Sequence, residues 1–110
     1  MIHWSQMVKS KQFQMYDYGT SGNLNKYGQP TPPVYDMTKF PSTLPTMLCA
    51  GGEDYLADAA DVAWLETQLP SASVTVRTYP TYAHLDFLWA TDAWTTLYVD
   101  VMQMVGQFDE

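Results

Sequence analysis

Basic side chains are scarce in this sequence. Five Lys and Arg stand against twelve Asp and Glu, a net charge of −7 over 110 residues. That balance argues against nucleic acid, which needs a basic face, and against electrostatic docking on anionic membranes. Long apolar runs are missing too; none approaches the roughly 18 residues of a spanning helix. Met1-Ile2-His3-Trp4-Ser5-Gln6 has neither the basic nor the apolar region of a secretory leader and does not read as one. A single cysteine, Cys49, excludes an internal disulfide and leaves the redox compartment open. Asn23 and Asn25 start no glycosylation sequon. No His/Cys cluster has metal-ligand spacing, and no glycine-rich phosphate loop occurs. No cofactor or metal is expected. The nucleophile signature Gly-x-Ser-x-Gly is absent as well.

What is present suffices for one small domain: 46% of the residues are apolar, so a core is available. Residues 1–11 read as the end of a helix, with Trp4, Met7 and Val8 on one face. Phe13-Gln14-Met15-Tyr16 alternates and reads as a short strand. Residues 17–33, rich in Gly, Asn and Pro, read as a long loop. A loop of that length is uncommon in a compact domain and needs neighbours to lie on.

The stretch with the most chemical content begins at about Thr46. An apolar strand to Ala50 ends in Gly51-Gly52 and delivers Asp54 to its rim. Asp58-Ala59-Ala60-Asp61 reads as a capping box with Asp at its last position. The helix that follows carries Val62, Leu65 and Leu69 on one face and stops at Pro70. Val74 to Tyr79 is β-branched and alternating, a second strand. Past it lies His84, in Tyr82-Ala83-His84-Leu85-Asp86-Phe87. Thr91 or Asp92 is expected to cap a last helix reaching Phe108. Its inner stripe is Ala93, Leu97, Val101 and Met104, widened by Trp94, Tyr98 and Met102. Strand, helix, strand, helix in this order is a βαβα unit with parallel strands. Two parallel strands alone leave edges unpaired and faces uncovered. The pattern is that of part of a larger sheet.

An acid and then a histidine, each on the loop after a strand, is the order of the last two members of a Ser-Asp-His triad. Each alone has a bland reading. An acid after Gly-Gly is commonly a turn residue or helix cap, and a lone loop histidine is commonly structural. Asp58 is read as an N-cap and Asp86 as a structural residue that orients the His84 loop. His3 is read as packing, and Ser5 lacks an elbow. Cys49 is read as an inert small hydrophobe at the end of a buried strand. Trp89, Trp94 and Tyr98 are read as core, with exposure to lipid as the other possibility.

Six blocks in order carry a resemblance: His3-Trp4-Ser5-Gln6, Phe13-Gln14-Met15-Tyr16-Asp17-Tyr18-Gly19, Pro32-Pro33-Val34-Tyr35, Gly51-Gly52-Glu53-Asp54-Tyr55-Leu56-Ala57-Asp58, Asp61-Val62 and His84-Leu85-Asp86-Phe87-Leu88-Trp89. Through them the chain resembles the C-terminal portion of the gastric and lysosomal acid lipase family. The resemblance implies an α/β fold: a C-terminal fragment of an α/β-hydrolase. Residues 1–40 would be the end of the cap region. Residues 41–110 would hold the last two parallel core strands and their helices. It implies hydrolysis of neutral lipid esters, triacylglycerols or cholesteryl esters, in the lysosome or after secretion. Asp54 matches the family's catalytic acid and His84 its base. The serine and the oxyanion-hole amides fall in family segments that precede Met1, so the partner implied is the N-terminal core of the same fold. The nearest thing to an elbow, Gly19-Thr20-Ser21-Gly22-Asn23, has Asn at the second glycine and lies in the expected loop. The chain alone, lacking the serine, is expected to be inactive; the competing expectation is a catalytically inactive truncated fragment acting, if at all, as a lipid- or partner-binding module.

Overall fold

The computed structural model describes residues 1–108, and the chain divides into two units between Met37 and Thr38. In the first unit, helix α1 spans Ile2–Ser10 and helix α2 spans Gly19–Tyr27. Between them the expected strand at Phe13–Tyr16 shrinks to a single antiparallel bridge, Gln14 with Val34. It is flanked by bonds from the Met15 amide to the Pro33 carbonyl and from the Tyr35 amide to the Phe13 carbonyl, each 2.9 Å. Trp4 and Val8 of α1, expected on a packed face, are more than half exposed.

Helix α2 corrects the expected long loop. Gly22 and Asn23 are poor helix formers, so local propensity argues against it. Asn23 outweighs that propensity through contacts beyond the helix. Its side chain is 1% exposed and fully partnered. Its Oδ1 accepts from the Tyr18 amide at 2.9 Å, and its Nδ2 donates to Asp17 Oδ1 at 2.8 Å and to the Pro30 carbonyl at 3.1 Å. Leaving such a group unpaired in an interior costs about 1–3 kcal/mol. The helix stops at Gly28, which takes the left-handed conformation that glycine tolerates (φ 74°).

A 3-10 turn at Met37–Lys39 runs across the boundary, and in the second unit strand β1 spans Thr46–Gly51 and helix α3 spans Ala59–Gln68. Strand β2 spans Val74–Tyr79. The two strands pair in parallel, Thr46 opposite Val74 through Gly51 opposite Tyr79. As expected, Asp58 caps α3, accepting from the Ala60 and Asp61 amides at 2.9 and 3.0 Å. The short helix α4, Asp86–Trp89, follows β2. The last helical stretch is a widened π turn at Trp94–Tyr98 running into helix α5, Val99–Gly106.

That stretch departs from expectation in two ways. Asp92 does not cap it with its side chain; the Asp92 carboxylate instead receives the hydroxyls of Tyr82 and Thr96. The inner stripe is narrower than the pattern suggests. Ala93 and Leu97 are buried and Val101 and Met104 half-buried, whereas Trp94 and Met102 are largely exposed and Tyr98, 36% exposed, donates its hydroxyl to the Phe87 carbonyl. Trp89 is exposed too. The core joins Tyr79, Tyr82 and Leu97, with Cys49, Phe87, Ala90 and Val101 against it.

Strand β1 is half-buried rather than buried. Among the described residues the sheet has two strands, so β1 has a paired neighbour on one side only. An open apolar groove of about 540 Å³ runs beside it, between Met47 and Cys49 on the strand and Val101, Met104 and Val105 on α5. The result is a mixed α/β chain with a small parallel sheet. No described helix is long and apolar enough to cross a membrane.

Candidate functional site

Asp54 and His84, thirty residues apart, are hydrogen-bonded: His84 Nδ1 lies 3.0 Å from Asp54 Oδ2. Gly51 and Gly52 make this meeting possible. A Cβ at Gly51 would strike the Tyr82 carbonyl, and one at Gly52 would strike the Pro80 carbonyl. With glycine at both places, the loop after β2 lies directly on the turn after β1. Backbone bonds lace the two together. The Gly52 amide donates to the Tyr79 carbonyl at 2.9 Å and the Glu53 amide to the Tyr82 carbonyl at 3.0 Å.

We expect Gly51→Ala to cost about 1–3 kcal/mol, the usual range for overpacking a tight contact, and to separate the pair. Chemical denaturation of the variant checks the first part and the loss of the His84–Asp54 proton signal checks the second. A variant as stable as the parent would show that this close approach is unimportant.

Asp54 is held in place by its own turn. Its Oδ1 accepts from the Leu56 and Ala57 amides, both at 2.9 Å, which leaves Oδ2 aimed at the imidazole. The Asp54 side chain is 4% exposed and that of His84 51%. So a buried carboxylate carries a half-exposed ring, bonded through Nδ1 rather than Nε2. The Ala57 amide, with His84 and the Leu56 amide, holds the Asp54 carboxyl below its ordinary value against the opposing effect of burial.

Stability should follow. Because the folded pKa lies below the ordinary 3.8, the unfolded chain binds this proton more readily. The stabilisation is fully present above 3.8 and is lost as pH falls through the folded value. The difference in urea midpoint between parent and Asp54→Asn should therefore shrink steadily below that pH. A difference that stays constant down to about pH 2, below the range over which such a carboxylate protonates, would contradict the assignment.

Asp86 behaves as expected, accepting the Ala83 amide at 2.7 Å and closing the loop that carries His84. His3 packs edge-on to Tyr16, with Nε2 2.7 Å from the Gln14 carbonyl oxygen. Ser21 lies inside α2, not in the expected loop and not at a strand-to-helix elbow. Cys49 is half-buried at the groove, and burial pushes its thiol up. Among the described residues no group of three His, Cys, Asp or Glu could hold a metal ion.

Two features are not apparent from the sequence. One is the pair of amides that fix Asp54, for which the Asp-x-Leu-Ala turn is a signal in hindsight, since Asp readily accepts from amides two and three residues on. The other is Tyr82, which is 3% exposed and has no local signature.

No family model matches the chain. It is similar over nearly its whole length to several curated proteins. It is 41% identical over 108 residues to gastric triacylglycerol lipase of Homo sapiens, covering 97% of this chain and 26% of that protein. It is 38% identical over 109 residues to the lysosomal acid lipase/cholesteryl ester hydrolases of Rattus norvegicus and of Homo sapiens, covering 98% of this chain and 27% of each. The chain thus spans about a quarter of the length of the curated relatives it matches.

Proposed function

We propose that this chain, a sequence relative of the lysosomal and gastric acid lipases, supplies the acid and the base of an ester hydrolase. The observation that carries the reading is the 3.0 Å bond between a buried Asp54 carboxylate and a half-exposed His84 ring. In this reading residues 1–40 end a cap and 41–110 are the last two strands of an α/β-hydrolase core with their helices. The serine and the oxyanion hole come from the N-terminal core of the same fold. The substrates are neutral lipid esters, triacylglycerols or cholesteryl esters, met in the lysosome or outside the cell.

Asp54 holds the Nδ1–H tautomer and stabilises the imidazolium. His84 Nε2 takes the serine proton as the Oγ–carbonyl bond forms. It returns that proton to the departing alcohol oxygen as the ester bond breaks. In the second half-reaction it takes a proton from water as water attacks the acyl-enzyme, and gives it back to the serine.

The 110 residues contain no nucleophile elbow, so the chain alone should not turn over a chromogenic ester. Co-expressed with the serine-bearing part of a relative, it should yield activity that a serine-directed phosphonate blocks. Phosphonate-sensitive turnover by the isolated chain would refute this division of labour.

A second reading has its own observation. Leu88, Trp89 and Trp94 are 70–72% exposed, which suits a module that binds lipid or a partner without catalysis. It requires a soluble chain that unfolds cooperatively; aggregation or a molten state on expression would rule it out.

A further inference from the structure

We propose that Tyr82 is a positioning residue for His84, acting through the bond from its hydroxyl to Asp92. Tyr82 touches both sides of the site's frame. Its carbonyl accepts the Glu53 amide at 3.0 Å, one residue before Asp54, and its amide donates to the Tyr79 carbonyl at 3.1 Å. Its hydroxyl donates to Asp92 Oδ1 at 3.0 Å, at the start of the last helical stretch. The ring stacks on Tyr79 (centroids 5.4 Å, interplanar 29°) and meets Phe87 edge-on (5.6 Å, 88°).

His84 itself is half-exposed and is held from Asp54 through one ring nitrogen. A ring with so little packing of its own takes its orientation from the backbone that carries it. That backbone is anchored two residues earlier by the buried Tyr82 and two residues later by Asp86. The Asp86 anchor closes within the loop, onto Ala83. The Tyr82 hydroxyl, by contrast, ties the start of the loop to a different element, ten residues away in sequence. Burial, with Asp92, pushes the phenol up, so the hydroxyl keeps its proton and stays a donor.

The proposal deepens the hydrolase reading, but its first test does not depend on it. In the 110-residue chain, the His84 Hδ1 proton bound to Asp54 should give a low-field NMR resonance. Tyr82→Phe keeps the ring and its stacking and removes only the bond. Asp92→Leu removes the acceptor, whereas Asp92→Asn retains an oxygen for the hydroxyl. The resonance should be lost in Tyr82→Phe and Asp92→Leu and retained in Asp92→Asn, with dispersed spectra throughout. Its absence from the parent chain, its survival in Tyr82→Phe, or its loss in Asp92→Asn would each overturn the proposal.

In an active, serine-containing assembly, Tyr82→Phe should lower kcat by about 10- to 100-fold, the effect of small misplacements of a catalytic group, and leave KM unchanged. An equal change in KM would assign Tyr82 to substrate binding instead. If the resonance behaves as stated while no assembly is ever active, the positioning role stands and the hydrolase reading fails.

Discussion

Asp54→Asn should lower ester turnover by about 10⁴-fold in the serine-containing assembly, the scale seen when a triad acid loses its charge. The geometry explains why an isosteric change is so costly. The Asp54 carboxylate accepts three hydrogen bonds, two from the Leu56 and Ala57 amides and one from His84 Nδ1. An asparagine offers one oxygen, and the two backbone amides claim it. Its NH₂ group then faces His84 and donates to Nδ1, so the imidazole proton moves to Nε2. In the proposed mechanism Nε2 is the atom that accepts the serine proton, and it could no longer do so. The side chain keeps its volume, so the fold should persist. Initial rates on an emulsified triacylglycerol test the size of the effect, and ¹⁵N shifts of His84 test the tautomer. Turnover within about tenfold of the parent, far short of the loss of a triad acid, would remove Asp54 from the mechanism.

Leu97→Ala should destabilise the chain by about 2–5 kcal/mol, the range for truncating a buried leucine. Leu97 is 5% exposed and packs with Tyr79 and Tyr82 in a core that has few other members. A small core has little surplus, since whole domains are stable by only about 5–15 kcal/mol. The loss should also reach the site, because Tyr82 stands in that cluster and carries the His84 loop. Val99→Ala on the same helical stretch is the control. Val99 is 51% exposed, and a surface change of that kind should fall within about 0.5 kcal/mol. Urea denaturation of the two variants separates the cases. Equal midpoints for both would mean that the stretch packs on a different face.

The resemblance to the acid lipases was legible from short blocks of sequence, and the matches to curated relatives extend it over nearly the whole chain. The second half of the chain was also legible in detail. β1 begins at Thr46 and β2 runs from Val74 to Tyr79, as their β-branched and apolar patterns indicate. Asp58 caps α3 as its spacing to Asp61 indicates. These features rest on interactions within a few residues, which a sequence displays directly.

The first half was less legible. Helix α2 hides in a stretch of Gly and Asn because what stabilises it is Asn23, bonded to Asp17 and Pro30. On the last helical stretch, periodicity found the inner stripe but overestimated its width, since a pattern does not say how much neighbouring surface exists to cover Trp94 or Tyr98.

The sequence alone determined the residue types, the strand–helix–strand–helix order of the second half and the two candidate side chains, because each depends on local propensity and spacing. Only the tertiary structure decided that Asp54 and His84 touch. That contact depends on two glycines whose missing Cβ atoms let one loop lie on the other, and on backbone bonds between segments some thirty residues apart. Such bonds form between groups that every residue possesses, so no choice of side chain announces them in advance.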